Sequence, residues 1–394
     1  MKLNLSVLRK IKAIGLNTVR QVLTSVFSIT IPFIVISYSK KEVWGEFVTY
    51  LLFVLIISQL INFGNKEYLL RTFSKKPNKI INTFSSVFFT RLPLTLILSA
   101  MGFLFFDAWL IGYIFIWSLG QFLSHSFETI LIYEKKFSYS IIIEVLFFTL
   151  LVLAFILYKS NFNIYILIVS YSIYQLCKGL SYFSLFYKYI NLKKISINFK
   201  YFKISFWFFL LSILGFLTNK IDLYIVDMFL NKKTLSNYQI INSLLVFTMS
   251  LSAYIFIPFV KNIYRIKRKT ILKIKKLLFL CGLIVSIFCI VIVYYVATYF
   301  LNTSYSLYFY LIAFFYILPC FAYGIDILML FKKGKEKTVV LYLFYGVVIN
   351  TITSILLLNN NFDIIGALVG GTTAQLLILV LLKRNSFLYD CSIT

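Results

Sequence analysis

Residues 217–238, LTNKIDLYIVDMFLNKKTLSNY, place three charges, Lys220, Asp222 and Asp227, inside an apolar run that enters from Ile204. A charge within a segment of membrane length costs roughly 2.5–3.5 kcal/mol on insertion scales, so it has a partner or a task. A short polar turn, 232–238 (KKTLSNY), closes the stretch, and a near-copy stands about half a chain earlier at 40–47 (KKEVWGEF). Charge within the apolar phase and duplication of its surroundings predict a transporter made of two related halves.

The composition sets the medium. Of the 394 residues, 61% are hydrophobic and 13% charged, against about 25% charged in a soluble domain. The hydrocarbon core is about 30 Å thick and a helix rises about 1.5 Å per residue, so apolar runs of roughly 20 residues are spans by length. The chain reads as an all-α polytopic membrane protein. A net charge of +26 in a soluble protein would suggest nucleic acid. Here the basic residues lie between apolar runs, where the positive-inside rule puts them, and no nucleic-acid partner is expected.

Counted between charges, the spans are 21–39, 47–65, 84–106, 108–133, 137–158 and 163–187, then 204–230 and 235–260. Between Lys276 and Lys332 no Lys or Arg occurs. That run is too long for one crossing, and Asn302-Thr303-Ser304 divides it in two. Spans 338–358 and 364–382 complete about twelve transmembrane helices. The expected domains are a six-helix bundle over 1–190, a cytoplasmic connector over 191–203 and a second six-helix bundle over 204–394. With the N-terminus in the cytoplasm, thirty-one of the 39 Lys and Arg fall on the cytoplasmic side. Five (Lys40, Lys41, Lys159, Lys232, Lys233) fall outside, and Arg91, Lys178 and Lys220 lie within spans. One missed span would scramble that bias, so both termini are expected in the cytoplasm. The basic N-terminal flank leads into a full-length span without a small-residue cleavage site, so no cleaved signal peptide is expected. Residues 261–276, dense in Lys and Arg among Ile and Leu, read as an interfacial helix on anionic lipids.

A second repeated window supports the duplication: 128–135, ETILIYEK, against 326–333, DILMLFKK. Each puts an acid about one turn before a cytoplasmic helix end, then an aromatic and a Lys. Six spans per repeat give both halves the same topology, hence a pseudo-twofold along the membrane normal. Six plus six spans, the motif 65–71 (NKEYLLR) after span two, and Asp222 before an outer turn ending Asn237-Tyr238 together resemble the O-unit, or polysaccharide-lipid, flippases. These belong to the multidrug/oligosaccharidyl-lipid/polysaccharide (MOP) exporter superfamily. Many relatives have a Gly before the aromatic of that turn, where this chain has Ser236-Asn237-Tyr238. The resemblance implies a MATE-like fold with a central cavity lined mainly by spans one, two, seven and eight. It also implies a bacterial cytoplasmic (inner) membrane location, a monomer, and partners among polysaccharide-assembly membrane proteins.

The substrate so implied is a polyprenyl-diphosphate-linked oligosaccharide, an O-antigen or other surface-polysaccharide unit. Its diphosphate calls for Arg and Lys, which bind phosphate by charge-assisted hydrogen bonds. Lys220 is the first candidate contact; Tyr224 and Asp227, at i+4 and i+7, share its face. Asp222 lies about 200° round the helix, on the face of Asn219. Arg20 and Lys66, at the mouths of spans one and two, are candidates for the headgroup, and positive-inside flanking accounts for them equally. Arg91 and Lys178, inside spans three and six, are candidates too. The alternative for both is pairing with Glu128 or Glu144 inside the first bundle, and for Lys220 pairing with an acid on a neighbouring helix. The stripes Tyr171-Gln175-Lys178 and Gln121-His125-Glu128 face other helices or water rather than lipid. Asp222 and Glu128 are the candidates for a coupling ion.

Rival classes lack their residues. A membrane polymerase needs a sizeable outer loop with catalytic groups, but the outer loops are short and carry no acid/base pair. No P-loop, nucleophile elbow or metal motif occurs, and an enzyme is not expected. A multidrug exporter of the same superfamily would want unpaired acids and few cations in its cavity. The five cysteines lack metal-ligand spacing and the single His125 cannot build a His-rich site, so no metal or cofactor is expected.

Overall fold

The computed structural model describes residues 5–192, 195–256 and 268–391, and every extended element among them is a helix. It divides into two compact units, Met1–Ile213 and Leu214–Thr394.

The first unit carries α1 (Leu5–Tyr38), α2 (Lys41–Asn62), α3 (Asn65–Lys75), α4 (Ile80–Ala100), α5 (Ala108–Glu134), α6 (Phe137–Leu157) and α7 (Ile164–Phe186). It also takes the first half of α8 (Lys200–Phe229). The second unit takes the rest of α8, then α9 (Lys232–Phe256) and α10 (Arg268–Tyr295), which ends in a π turn at Val296–Phe300. It is completed by α11 (Leu307–Lys332), α12 (Glu336–Asn359) and α13 (Asp363–Cys391).

Among the described residues, ten helical segments are long and apolar enough to cross a membrane. The other two long helices, α5 and α9, have 27 and 25 residues and complete twelve. Their lower hydropathy has a structural cause, because they bury polar side chains. Ser118, Gln121, Ser124 and Ser126 are buried on α5, and Ser236, Asn237, Gln239 and Asn242 on α9. A polar residue at membrane depth faces protein rather than lipid.

Packing within each unit relies on glycine. A Cβ on Gly120 of α5 would stand 2.4 Å from the Gln175 carbonyl on α7. In the second unit α12 meets α13 where Gly370 lies against Ser354 and Asn350. Lipid tails are as apolar as Leu, so close backbone approach and van der Waals contact hold such helices together in place of the hydrophobic effect.

Two expectations need correction. The first span starts earlier than residue 21, because α1 is continuous from Leu5; Lys and Arg are good helix formers and do not interrupt it. Residues 66–79, which lie between the expected spans 47–65 and 84–106, form α3 and a 3-10 turn at Pro77–Lys79. α3 is amphipathic and seats Leu69 and Phe73 in the core beside Phe84, Phe127 and Tyr201. Of the basic stretch 261–276, residues up to 267 lie outside the described residues, and from Arg268 onward it is the beginning of α10. Lys275 there pairs with Asp326 of α11.

Between α2 and α3 the chain breaks at Phe63 and Gly64, both left-handed. The break is filled by α8, whose Phe208 and Phe209 backbone and Cβ atoms lie 2.7–2.9 Å from where a Gly64 Cβ would stand. Tyr201 anchors the same contact by donating to the Phe63 carbonyl at 2.9 Å. The first half of α8 belongs to the first unit for this reason.

Candidate functional site

At the basic end of the first unit, three helices bring their charges to one carboxylate. Arg20 of α1 donates from Nη2 to Glu128 Oε1 of α5 at 3.0 Å, and Lys66 of α3 reaches the same oxygen at 3.3 Å. His125, one turn before Glu128, has Nδ1 at 3.8 Å from Oε2. Arg20 is buried, but the Lys66 and His125 side chains are 41% and 45% exposed. Two fixed cations against one carboxylate leave the cluster net positive, with accessible donors. Such a site suits a phosphate-bearing group, which accepts charge-assisted hydrogen bonds from several donors at once.

The two candidate cations inside the spans of the first unit, Lys178 and Arg91, are enclosed. Lys178 of α7 is clamped by both oxygens of Glu144 on α6, at 2.6 and 2.8 Å. Its neighbours on the stripe face inward too: Tyr171 packs edge-on against Trp117, and Gln175 is buried. Arg91 of α4 is fully buried, donates to Ser126 Oγ at 2.8 Å and lies over the Phe122 ring. No carboxylate pairs with it among the described residues. Of the two interior pairings open in the sequence, Lys178 makes one and Arg91 makes neither.

The second unit contains a network centred on Asp222, which is fully buried. Tyr238 donates to its Oδ2 at 2.5 Å, Asn242 Nδ2 to the same oxygen at 3.0 Å, and the Leu223 amide to Oδ1 at 3.0 Å. Asn242 turns its carbonyl to Lys220 Nζ at 3.0 Å. Lys220 and Asp222, on different faces of α8, are thereby linked through one amide on α9. Lys220, Tyr224 and Asp227 reach three different partners: Asn242, the Phe216 ring, and Lys232 at 2.6 Å. Asn219, on the Asp222 side of the helix, meets Gln375 of α13, which accepts from Tyr323 at 2.7 Å. Neither coupling-ion candidate has an idle carboxylate, since three donors hold Asp222 and two cations hold Glu128.

A MATE transporter in complex with MaL6 superposes with a TM-score of 0.63 over 98% of both chains at 14% identity. The eukaryotic MATE transporter AtDTX14 gives 0.62 over 97% of this chain and 96% of its own at 11% identity. The chain has the MATE fold. A third match is a MOP-superfamily transporter from Pyrococcus furiosus, described as having a binding pocket of reverse polarity that suggests a different function. It aligns with a TM-score of 0.55 at 13% identity over 95% of this chain and 96% of that one. No protein-family model matches the sequence, and no curated protein matches it.

Sequence reasoning did not single out Asn242, Gln375, Tyr323 or Ser126, each of which holds a candidate residue or its neighbour. A signal existed for the first. Tyr238 and Asn242 stand at i and i+4 in a span, a polar pair that only a buried partner explains. Ser126 had none, because serine is common in spans and its partner Arg91 lies 35 residues away.

Proposed function

We propose that this MATE-fold chain is a transporter that carries an anionic lipid-linked saccharide, a polyprenyl-diphosphate-linked oligosaccharide, from the inner to the outer leaflet by alternating access. The reading involves no covalent chemistry. It takes the basic end of the first unit as cytoplasmic and the membrane as a bacterial inner membrane. The protein works as a monomer alongside other polysaccharide-assembly membrane proteins.

The observation that carries the reading is the distribution of charge. The five acids within the spans, Glu128, Glu144, Asp222, Asp227 and Asp326, all have a cation or strong donors at hydrogen-bonding distance. An organic cation would find no idle carboxylate among them, whereas an anion finds Arg20, Lys66 and His125 at one mouth. The reverse polarity described for the Pyrococcus furiosus transporter supports the idea that this fold accommodates pockets of differing charge. The multidrug transporters that share the fold define the competing reading.

The test is complementation of a flippase-null strain, with the lipid-linked intermediate followed by leaflet. A hydrogen bond to a charged group contributes about 1.5–3 kcal/mol, so Arg20→Ala or Lys66→Ala should weaken substrate binding by about tenfold to a hundredfold. Protein level should be unchanged for Lys66→Ala, whose side chain is 41% exposed. Failure of the wild-type chain to restore surface polysaccharide, together with raised resistance to cationic drugs, would assign it to the multidrug class instead.

A further inference from the structure

The segment that leaves α7 and enters α8 carries a surface that the transport reading does not use. After a 3-10 turn at Tyr187–Tyr189, its described residues are 190–192 and 195–199, and none of them is helical. Four of their side chains are large, apolar and exposed: Leu192 by 70%, Ile195 by 62%, Ile197 by 55% and Phe199 by 75%. Ile195, Ile197 and Phe199 alternate with Ser196 and Asn198, the spacing of residues that share one side of an extended chain. Facing water, such a set would be an apolar patch with nothing to cover it.

Two hydrogen bonds set the depth of this segment. The Asn191 amide donates to Ser85 Oγ of α4 at 3.1 Å, and the Asn198 amide to Thr90 Oγ1 of the same helix at 2.9 Å. α4 lies within Pro77–Leu104, a segment long and apolar enough to cross a membrane. At about 1.5 Å per residue, Thr90 stands about 9 Å inside Phe84, the first residue of the expected span. Interfacial segments seat their apolar side about 5–10 Å into the headgroup and acyl boundary, which is the level at which α4 holds the connector. Non-helical backbone at that level needs protein partners for its N–H groups, and the two α4 hydroxyls supply them for Asn191 and Asn198. Tyr187 is exposed just before the segment, and Lys200 and Lys203 just after it. Tyrosine settles at headgroup level, and lysine reaches from apolar surroundings to the phosphates of anionic lipids.

We propose that the α7–α8 connector is seated in the lipid leaflet at the basic end of the first unit. Leu192, Ile195, Ile197 and Phe199 lie among the acyl chains, and Lys200 and Lys203 meet the phosphates of anionic lipids. The connector is a membrane-contacting strap and not a loop in the aqueous phase. This rests on the membrane placement of α4 and is independent of the transported substrate.

The experiment uses the full-length protein in vesicles of phosphatidylethanolamine and phosphatidylglycerol. A diazirine-bearing amino acid is placed in turn at Ile197, Phe199, Leu146 and Asn78, and the photoadducts are identified by mass spectrometry. Leu146, exposed midway along α6, reports lipid; Asn78, exposed in the turn before α4, reports water. Ile197 and Phe199 should give lipid adducts in a yield close to that at Leu146 and severalfold above that at Asn78. Phosphatidylglycerol should exceed its share of the vesicle in those adducts, and the excess should disappear in Lys200→Gln/Lys203→Gln. In Thr90→Val the Asn198 amide loses its acceptor, and its hydrogen exchange should accelerate by about twofold to tenfold. Water adducts at Ile197 and Phe199 that match those at Asn78 overturn the proposal. Exchange at Asn198 unchanged by Thr90→Val does so too, and a phosphatidylglycerol excess that survives Lys200→Gln/Lys203→Gln removes the lysines from the surface. A negative complementation result would leave these yields as they are, so the two readings fail separately.

Discussion

Lys178 and Glu144 offer the sharpest test of whether an intramembrane cation contacts substrate or holds the bundle together. The ammonium lies 2.6 and 2.8 Å from the two carboxylate oxygens, and the side chains are only 13% and 6% exposed. At such burial, solvent screening is weak and each ion depends on the other. Removing one partner of a buried pair costs about 3–5 kcal/mol, mostly from the charge left behind. In a bilayer the unfolded helix must also accommodate that charge, which pulls the expected loss toward about 3 kcal/mol. Lys178→Met and Glu144→Leu should each destabilise the protein by that amount in reversible unfolding in mixed micelles. The double variant should recover most of it, because an apolar pair of similar volume replaces an ion pair at little net cost. With each single loss near 3 kcal/mol and the double variant losing about 1 kcal/mol, the coupling energy from the double-mutant cycle should reach about 5 kcal/mol, far above the few tenths seen for independent sites. Transport by the double variant should follow its protein level. If the single losses simply add, or if the double variant folds normally and transports nothing, the structural role assigned to this pair is wrong.

Two further outcomes follow from backbone contacts and the second unit. Gly64→Ala should cost about 2–4 kcal/mol, combining a left-handed backbone with overlap against the α8 backbone; Gly15→Ala, with nothing within 4 Å of its Cβ, should be neutral or slightly stabilising. Both are read as shifts in unfolding midpoint, and equal effects would remove α8 from the α2–α3 break. Asp222→Ala should destabilise by about 2–5 kcal/mol, since Tyr238 and Asn242 would each lose a buried acceptor at about 1–3 kcal/mol. Asp222→Asn, which keeps one carbonyl oxygen, should cost less, and the ratio of folded to aggregated protein after extraction would expose any failure of that order.

Which segments cross the membrane was legible in the residues alone. Transfer into lipid sums over a segment's own side chains, so the ten strongly apolar segments and the break at Asn302-Thr303-Ser304 need no knowledge of neighbours. The charges within spans were legible as expensive, and hence as partnered or functional. Their partners were not. Arg20 finds Glu128 across 108 residues, and Lys220 reaches Asp222, two residues along the same helix, only by way of Asn242 on the next. α3, the early start of α1 and the fully buried setting of Arg91 also appear only in three dimensions. Partner choice depends on the rotation and depth of each helix. Those are set by close contacts such as Gly120 against Gln175, between residues far apart in the chain, so no local count of hydropathy or charge contains them.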